Sequence, residues 1–126
     1  MLLQRYNDFM TTQAASIYIP LIIERLKQIK PAKVILFGSH AQGTASAESD
    51  LDLLVVTNDD RLPQNYHEKE QIYLEVARLL RDVRGVIPVD LIVHTRPMYA
   101  RFVEMNSLFA RELLQEGVLL YESSNP

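Results

Sequence analysis

Four apolar residues, Val34-Ile35-Leu36-Phe37, run without a polar interruption straight into Gly38-Ser39. The run is too short for a buried helix, and a strand that does not alternate polar with apolar has to be covered on both faces. Such a strand belongs in the centre of a sheet with helices layered on it. Two further runs resemble it: Leu51-Asp52-Leu53-Leu54-Val55-Val56, stopped by the turn-forming Thr57-Asn58-Asp59-Asp60, and Val89-Asp90-Leu91-Ile92-Val93.

Helical periodicity fills the intervals. Ile22, Leu26 and Ile29 recur with gaps of four and three between about 19 and 29, with Pro20 suited to the first turn and Pro31 to the end. Gln64 to Val83 carries Ile72, Val76, Leu79, Leu80 and Val83 on one stripe. Asn106 to Glu116 reads as a last helix, with Asn106 as N-cap and Gly117 in the position just past its end. The expected order is helix, strand, short connection, strand, long helix, strand, helix. This is an α/β (α+β) domain with a small mixed sheet and helices packed on it. At 126 residues the chain is read as one domain, 1–126, with only Ser123-Ser124-Asn125-Pro126 tail-like.

Composition narrows the chemistry. Cysteine is absent, which removes disulfide frameworks, thiolate zinc sites and cysteine nucleophiles, and fits a reducing cytoplasm. A net charge of −3 is not the field of a protein that wraps nucleic-acid backbone, so no stable nucleic-acid binding is expected, although a local basic groove is not excluded. The longest apolar run, Ile17 to Ile23, has seven residues and contains Pro20, so no membrane span is expected. Met1-Leu2-Leu3-Gln4-Arg5 does not look like a secretion signal, and the expected location is cytoplasmic.

Acidic residues sit where plain core strands would not place them. Asp50 and Asp52 are two apart at the start of the second strand and point to the same face. Carboxylates held that way repel unless a cation lies between them, and Mg²⁺ prefers such oxygen ligands while keeping waters for a phosphate to replace. Asp90 completes a three-carboxylate cluster if its strand neighbours the second one. Each aspartate taken singly also has a plain reading, as a cap, a turn residue or a solvent-facing strand position. Gly38-Ser39 follows a strand, where backbone N–H groups and a hydroxyl can cradle phosphate oxygens. It is not a Walker loop, because Thr44 stands where the lysine must be, and not a dinucleotide fingerprint, because His40 occupies the middle glycine's place. His40 reads as touching ligand or covering a helix start; His67 and His94 read as surface or structural.

Gly38-Ser39, ten intervening residues, Asp50-Leu51-Asp52 and a later strand Asp90 together resemble the nucleotidyltransferase superfamily typified by DNA polymerase β. The stretches 48–55 and 116–121 look like MNT-type minimal nucleotidyltransferases, and the resemblance spans roughly 15–122. It implies the polymerase β-like nucleotidyltransferase fold. It also implies metal at Asp50, Asp52 and Asp90, phosphates at Gly38 and Ser39, Asp90 as ligand and base, Mg²⁺ as cofactor and ATP as substrate. By the same resemblance the partner is a HEPN-domain ribonuclease toxin, AMP goes to a toxin tyrosine, and the chain acts as antitoxin. Many relatives carry arginines at the places of His40 and Gln42, so fewer fixed positive charges are expected to face the triphosphate here. Two other functions stay open: nucleotidyl transfer to a small-molecule hydroxyl, and a non-catalytic module that binds the toxin. Homo- or hetero-oligomerisation stays open as well.

Overall fold

Five of the six residues of strand β3 (Leu51–Val56) are buried, and this strand fixes the layering. The computed structural model describes residues 3–5, 13–46 and 48–123; Ser124-Asn125-Pro126 of the expected tail, and Met1 and Leu2 where no secretion signal is expected, lie outside them. Because successive side chains point to opposite faces, Leu51, Leu53 and Val55 enter one core while Leu54 and Val56 enter another. A strand with apolar residues on both faces is stable only between two helical layers, and both are present.

The sheet has five strands in the order β1–β5–β2–β3–β4: β1 (Gln4–Arg5), β2 (Lys33–Phe37), β3, β4 (Val89–His94) and β5 (Val118–Glu122). β5 runs parallel to β1 and antiparallel to β2, β2 runs antiparallel to β3, and β3 runs parallel to β4, so the sheet is mixed as expected. One face packs on Ile19, Ile22 and Leu26 of helix α1 (Gln13–Leu26) and on Ile72 and Val76 of helix α3 (Tyr66–Ala77). The other face packs on helices α5 (Arg96–Met105) and α6 (Leu108–Glu116) through Tyr99, Phe102, Leu113 and Leu114. Among the described residues, no helix is long and apolar enough to cross a membrane.

Several expectations are corrected in detail. Helix α1 starts at Gln13, so Pro20 lies inside it and not in its first turn. Proline removes one backbone donor there, and it is tolerated on an exposed position of the helix. The stretch 64–83 is not one unbroken helix. Asn65 caps α3 by accepting the Glu68 N–H at 2.9 Å, and a 3₁₀ turn (Arg78–Leu80) then joins α3 to the four-residue helix α4 (Arg81–Arg84). Ile72, Val76, Leu80 and Val83 stay buried across that change of winding. The interval after β2 is more than a connection, since it opens with a short helix α2 (Gly38–Gln42).

Helix α5 and strand β5 lie outside the expected element order. Asn106 is not an N-cap: with φ 51° it closes α5, and Ser107 caps α6 by accepting the Ala110 N–H at 3.1 Å. Gly117 has φ −70° and turns the chain directly into β5 without a left-handed cap.

His94, the last residue of β4, is structural. Its ring packs 5.2 Å from Phe102 and 6.4 Å from Tyr99, measured between centroids, and its Nδ1 is buried without a hydrogen bond among the described residues. Burial, with the Lys69 charge adding to it, pushes the imidazole pKa down to about 4. The unfolded chain therefore takes up the proton first, so this residue's contribution is complete above about pH 6.5 and is lost as pH falls towards 4. His94→Leu removes that loss, which is of order 1 kcal/mol by pH 5 for a ring that water partly reaches. The melting temperature of the variant relative to the native protein should be about 3 °C more favourable at pH 5 than at pH 7.5. Parallel pH profiles for the two proteins would show that the ring is not held neutral.

Candidate active site

Asp52 and Asp90 are register partners across the parallel β3/β4 ladder, which sets their Cα atoms about 4.8 Å apart on one face. Residues of the same parity in these strands, Leu54, Val56 and Ile92, pack beneath α5 and α6, so that is the face both carboxylates share. Asp50 lies two residues before Asp52 and is exposed at the entrance of β3. The structure thus draws the three aspartates to one end of one face.

Their electrostatics follow from the placement. Asp52 is half-buried, and its pKa is raised, first by burial, then by the charges of Asp90 and Asp50, with His40 pulling the other way. Among the described residues, no three histidine or acidic side chains converge as they stand on one metal position. A preformed cage is not what a hard cation of this class requires. Mg²⁺ is held by one or two carboxylates and completes its octahedron with water and phosphate oxygens, so an all-oxygen set of mutually repelling carboxylates fits it.

Gly38 opens α2 with φ +74°, a region that favours glycine. A Cβ built there would stand 2.0 Å from Asp52 Oδ2, because Phe37 is the register partner of Asp52 and the carboxylate reaches over the next residue. The expectation that small residues let a ligand approach the backbone is therefore only half the account, since the first group to approach Gly38 is the Asp52 side chain itself. Ser39 follows, half-buried, at the start of the same helix, where the leading N–H groups lack intrahelical partners.

His40 does not face the open site. It is 2% exposed, and its Nε2–H donates to the Ser49 carbonyl at 3.0 Å, tying α2 to the residue just before Asp50. Of its two readings, the structural one holds. His67 lies exposed on α3, as expected for a surface residue.

Phe109, Glu112 and Glu116, which were not singled out from the sequence, close the other side. A cleft of ≈ 80 Å³ beside Gly38 is lined by Phe37, Gln42, Phe109, Glu112 and Glu116. Glu112 and Glu116 are four apart on α6 and so share a helical face. That spacing was the available signal, but without knowing that α6 crosses this end of the sheet nothing linked it to Gly38.

The comparisons agree on the kind of protein. A profile of the family described as "Nucleotidyltransferase domain" matches residues 19–119. A protein of Methanocaldococcus jannaschii named "Putative protein adenylyltransferase MJ0604" is 32% identical over 89 residues, 71% of this chain and 77% of that protein. Two solved structures share the fold. A toxin–antitoxin crystal structure with AMP-PNP has a TM-score of 0.52 at 23% identity, covering 84% of this chain and 74% of the other. A Sulfolobus solfataricus crystal structure described as a "putative nucleotidyltransferase" also has a TM-score of 0.52, at 21% identity, covering 90% and 92%.

Two stability measurements check this geometry. Gly38→Ala should lose about 2–4 kcal/mol in denaturant unfolding, since both φ and the Asp52 carboxylate oppose a methyl group. Gly43→Ala, at φ +77° with nothing within 4 Å, should lose only about 1 kcal/mol. Asp52→Asn should raise metal-free stability at pH 7 by about 0.5–1 kcal/mol by relieving like-charge repulsion. A carboxyl whose folded pKa is raised costs stability only as pH climbs through its ordinary value of about 4, so the gain should vanish at pH 3. A destabilised Asp52→Asn protein at neutral pH would contradict the repulsion.

Proposed function

The chain belongs to the nucleotidyltransferase domain family, and from that premise we propose that it is a Mg²⁺-dependent adenylyltransferase moving AMP from ATP to a hydroxyl of a partner protein. The observation that carries the reading is the in-register pair Asp52 and Asp90, with the Asp52 carboxylate against Gly38 and Asp50 at the same end. In this reading Asp50, Asp52 and Asp90 hold the metal, and Gly38 and Ser39 bond the triphosphate through backbone N–H groups and the serine hydroxyl. Bound Mg²⁺ would supply charge that stabilises the in-line displacement and the departing pyrophosphate.

The acceptor oxygen forms a bond to the α-phosphorus, the bond from that phosphorus to the bridging oxygen breaks, and pyrophosphate leaves. The hydroxyl proton passes to Asp90, which is exposed and therefore open to an incoming acceptor. What remains for the protein is to position the reactants and exclude competing water.

A protein acceptor is favoured over a small molecule because the Methanocaldococcus jannaschii relative carries a name of the protein-modifying class. The finer assignment, an antitoxin that modifies a tyrosine of a HEPN ribonuclease toxin in the cytoplasm, rests on the sequence resemblance and on the toxin–antitoxin pair among the fold neighbours.

The test is label transfer: the purified chain, ATP labelled at the α-phosphate, Mg²⁺ and the purified product of the adjacent gene. Label should appear on the partner, disappear on chelation of the metal, and fall about 100-fold or more in Asp52→Asn and Asp90→Asn proteins. Transfer that persists in Asp50→Asn/Asp52→Asn protein overturns the site. Neutralisation of the partner by that variant with no label anywhere would point to a module that acts by contact alone.

A further inference from the structure

Resting on the reading above, we propose that the corner between α5 and α6 is the docking surface for the acceptor protein, and that the partner meets it with apolar side chains ringed by lysine or arginine. The topology puts this corner at the reacting end. Helix α5 starts where β4 ends and runs back towards Asp90, and α6 then crosses to deliver Val118 beside Leu36, its register partner. The rings of Phe109 and Phe37 meet at 5.5 Å, and Phe37 is the register partner of Asp52.

The exposed side chains of this corner are costly to leave in water. Val103, Met105, Leu108 and Phe109 are 37%, 74%, 66% and 41% exposed, clustered within seven residues of sequence. Among the described residues, the other large exposed apolar side chains, Ile17, Leu62, Tyr66 and Val86, belong to different elements or loops, as single exposed apolar residues commonly do. An apolar cluster touching a reacting site is the usual mark of a macromolecular contact.

Charge selects the occupant. Among the described residues, the cleft between Phe109 and Gly38 carries Glu112 and Glu116 and no basic side chain, and Asp50 and Asp90 are exposed beyond it. A second copy of this chain would have to bring the same acidic cleft against itself in a two-fold contact, which like charges oppose. A basic partner gains attraction from the same groups.

The experiment uses the full chain, the purified product of the adjacent gene and α-phosphate-labelled ATP. Met105→Glu/Leu108→Glu alters two well-exposed side chains, so folding is preserved, which circular dichroism and the melting temperature verify. The double variant should raise KM for the partner at least tenfold, with KM for ATP unchanged and kcat within about twofold; Leu62→Glu and Val86→Glu should behave as the native protein. Raising the salt concentration from 50 to 300 mM should raise the partner's KM in the native protein. Native-like KM in the double variant overturns the proposal. If the native chain transfers no label, the catalytic reading fails, and docking is then read by calorimetry. Loss of partner binding in the double variant supports the surface, whereas unchanged binding, or none by the native chain, overturns it. A homodimer in solution that the double variant dissolves also overturns it, since the occupant is then a second copy.

Discussion

Two carboxylates in register on adjacent parallel strands repel each other, and the sheet holds them there. Between residues directly opposite on neighbouring strands that repulsion is about 0.5–1 kcal/mol for a pair partly open to water. It is tolerated because β3 is buried nearly throughout and is gripped by a strand on each side, so neither aspartate can turn away without breaking a ladder. The apolar cores on both faces supply the rigidity, and the strained charges at one end are where it is used. Gly38 belongs to the same construction, because the Asp52 carboxylate occupies the space that any other residue's Cβ would need.

What could be seen in the sequence tracks how sharply each element is bounded. β2, β3 and β4 were visible because each is a short apolar run that ends on polar or turn-forming residues, and Asp50, Asp52 and Asp90 stood out as interruptions in or beside those runs. α5 was missed: none of its residues is fully buried, and it rests on the sheet through half-buried Tyr99 and Phe102. β5 has the same apolar character as the other strands, Val-Leu-Leu-Tyr, yet the reading closed the last helix at Gly117 and assigned no strand after it. That omission cost an interior position in the sheet, since β5 lies between β1 and β2. The alignment of Asp52 with Asp90 depends on strand register, which no local pattern encodes.

The comparison of His40 and Gln42 with the arginines of many relatives also changes with the fold in view. Only Gln42 lines the cleft; His40 is buried, and its ring is engaged by the Ser49 carbonyl. A side chain there serves the site by fixing the backbone that leads into Asp50. The expected shortage of positive charge near a bound triphosphate therefore falls on Gln42, which lines the cleft.

The opposite end of β3 shows how this chain treats aspartates that have purely structural work. Asp59 accepts from Arg61 at 2.9 and 3.0 Å, Arg61 also grips Glu75 at 2.8 and 2.9 Å, and Arg96 bonds Asp60 at 2.9 Å. The Arg61 guanidinium, acting chiefly by hydrogen bonding, holds the Asp59 pKa down to about 2. Asp52, seven residues earlier, is pushed the other way by burial and by its acidic neighbours. A sequence with 13 lysines and arginines has cations to spare, and the fold places two arginines at the structural end while, among the described residues, the cleft beside Gly38 has none. Charges left uncompensated within the chain, in a fold that compensates the same residue type elsewhere, suit the external cation that the proposed reaction requires.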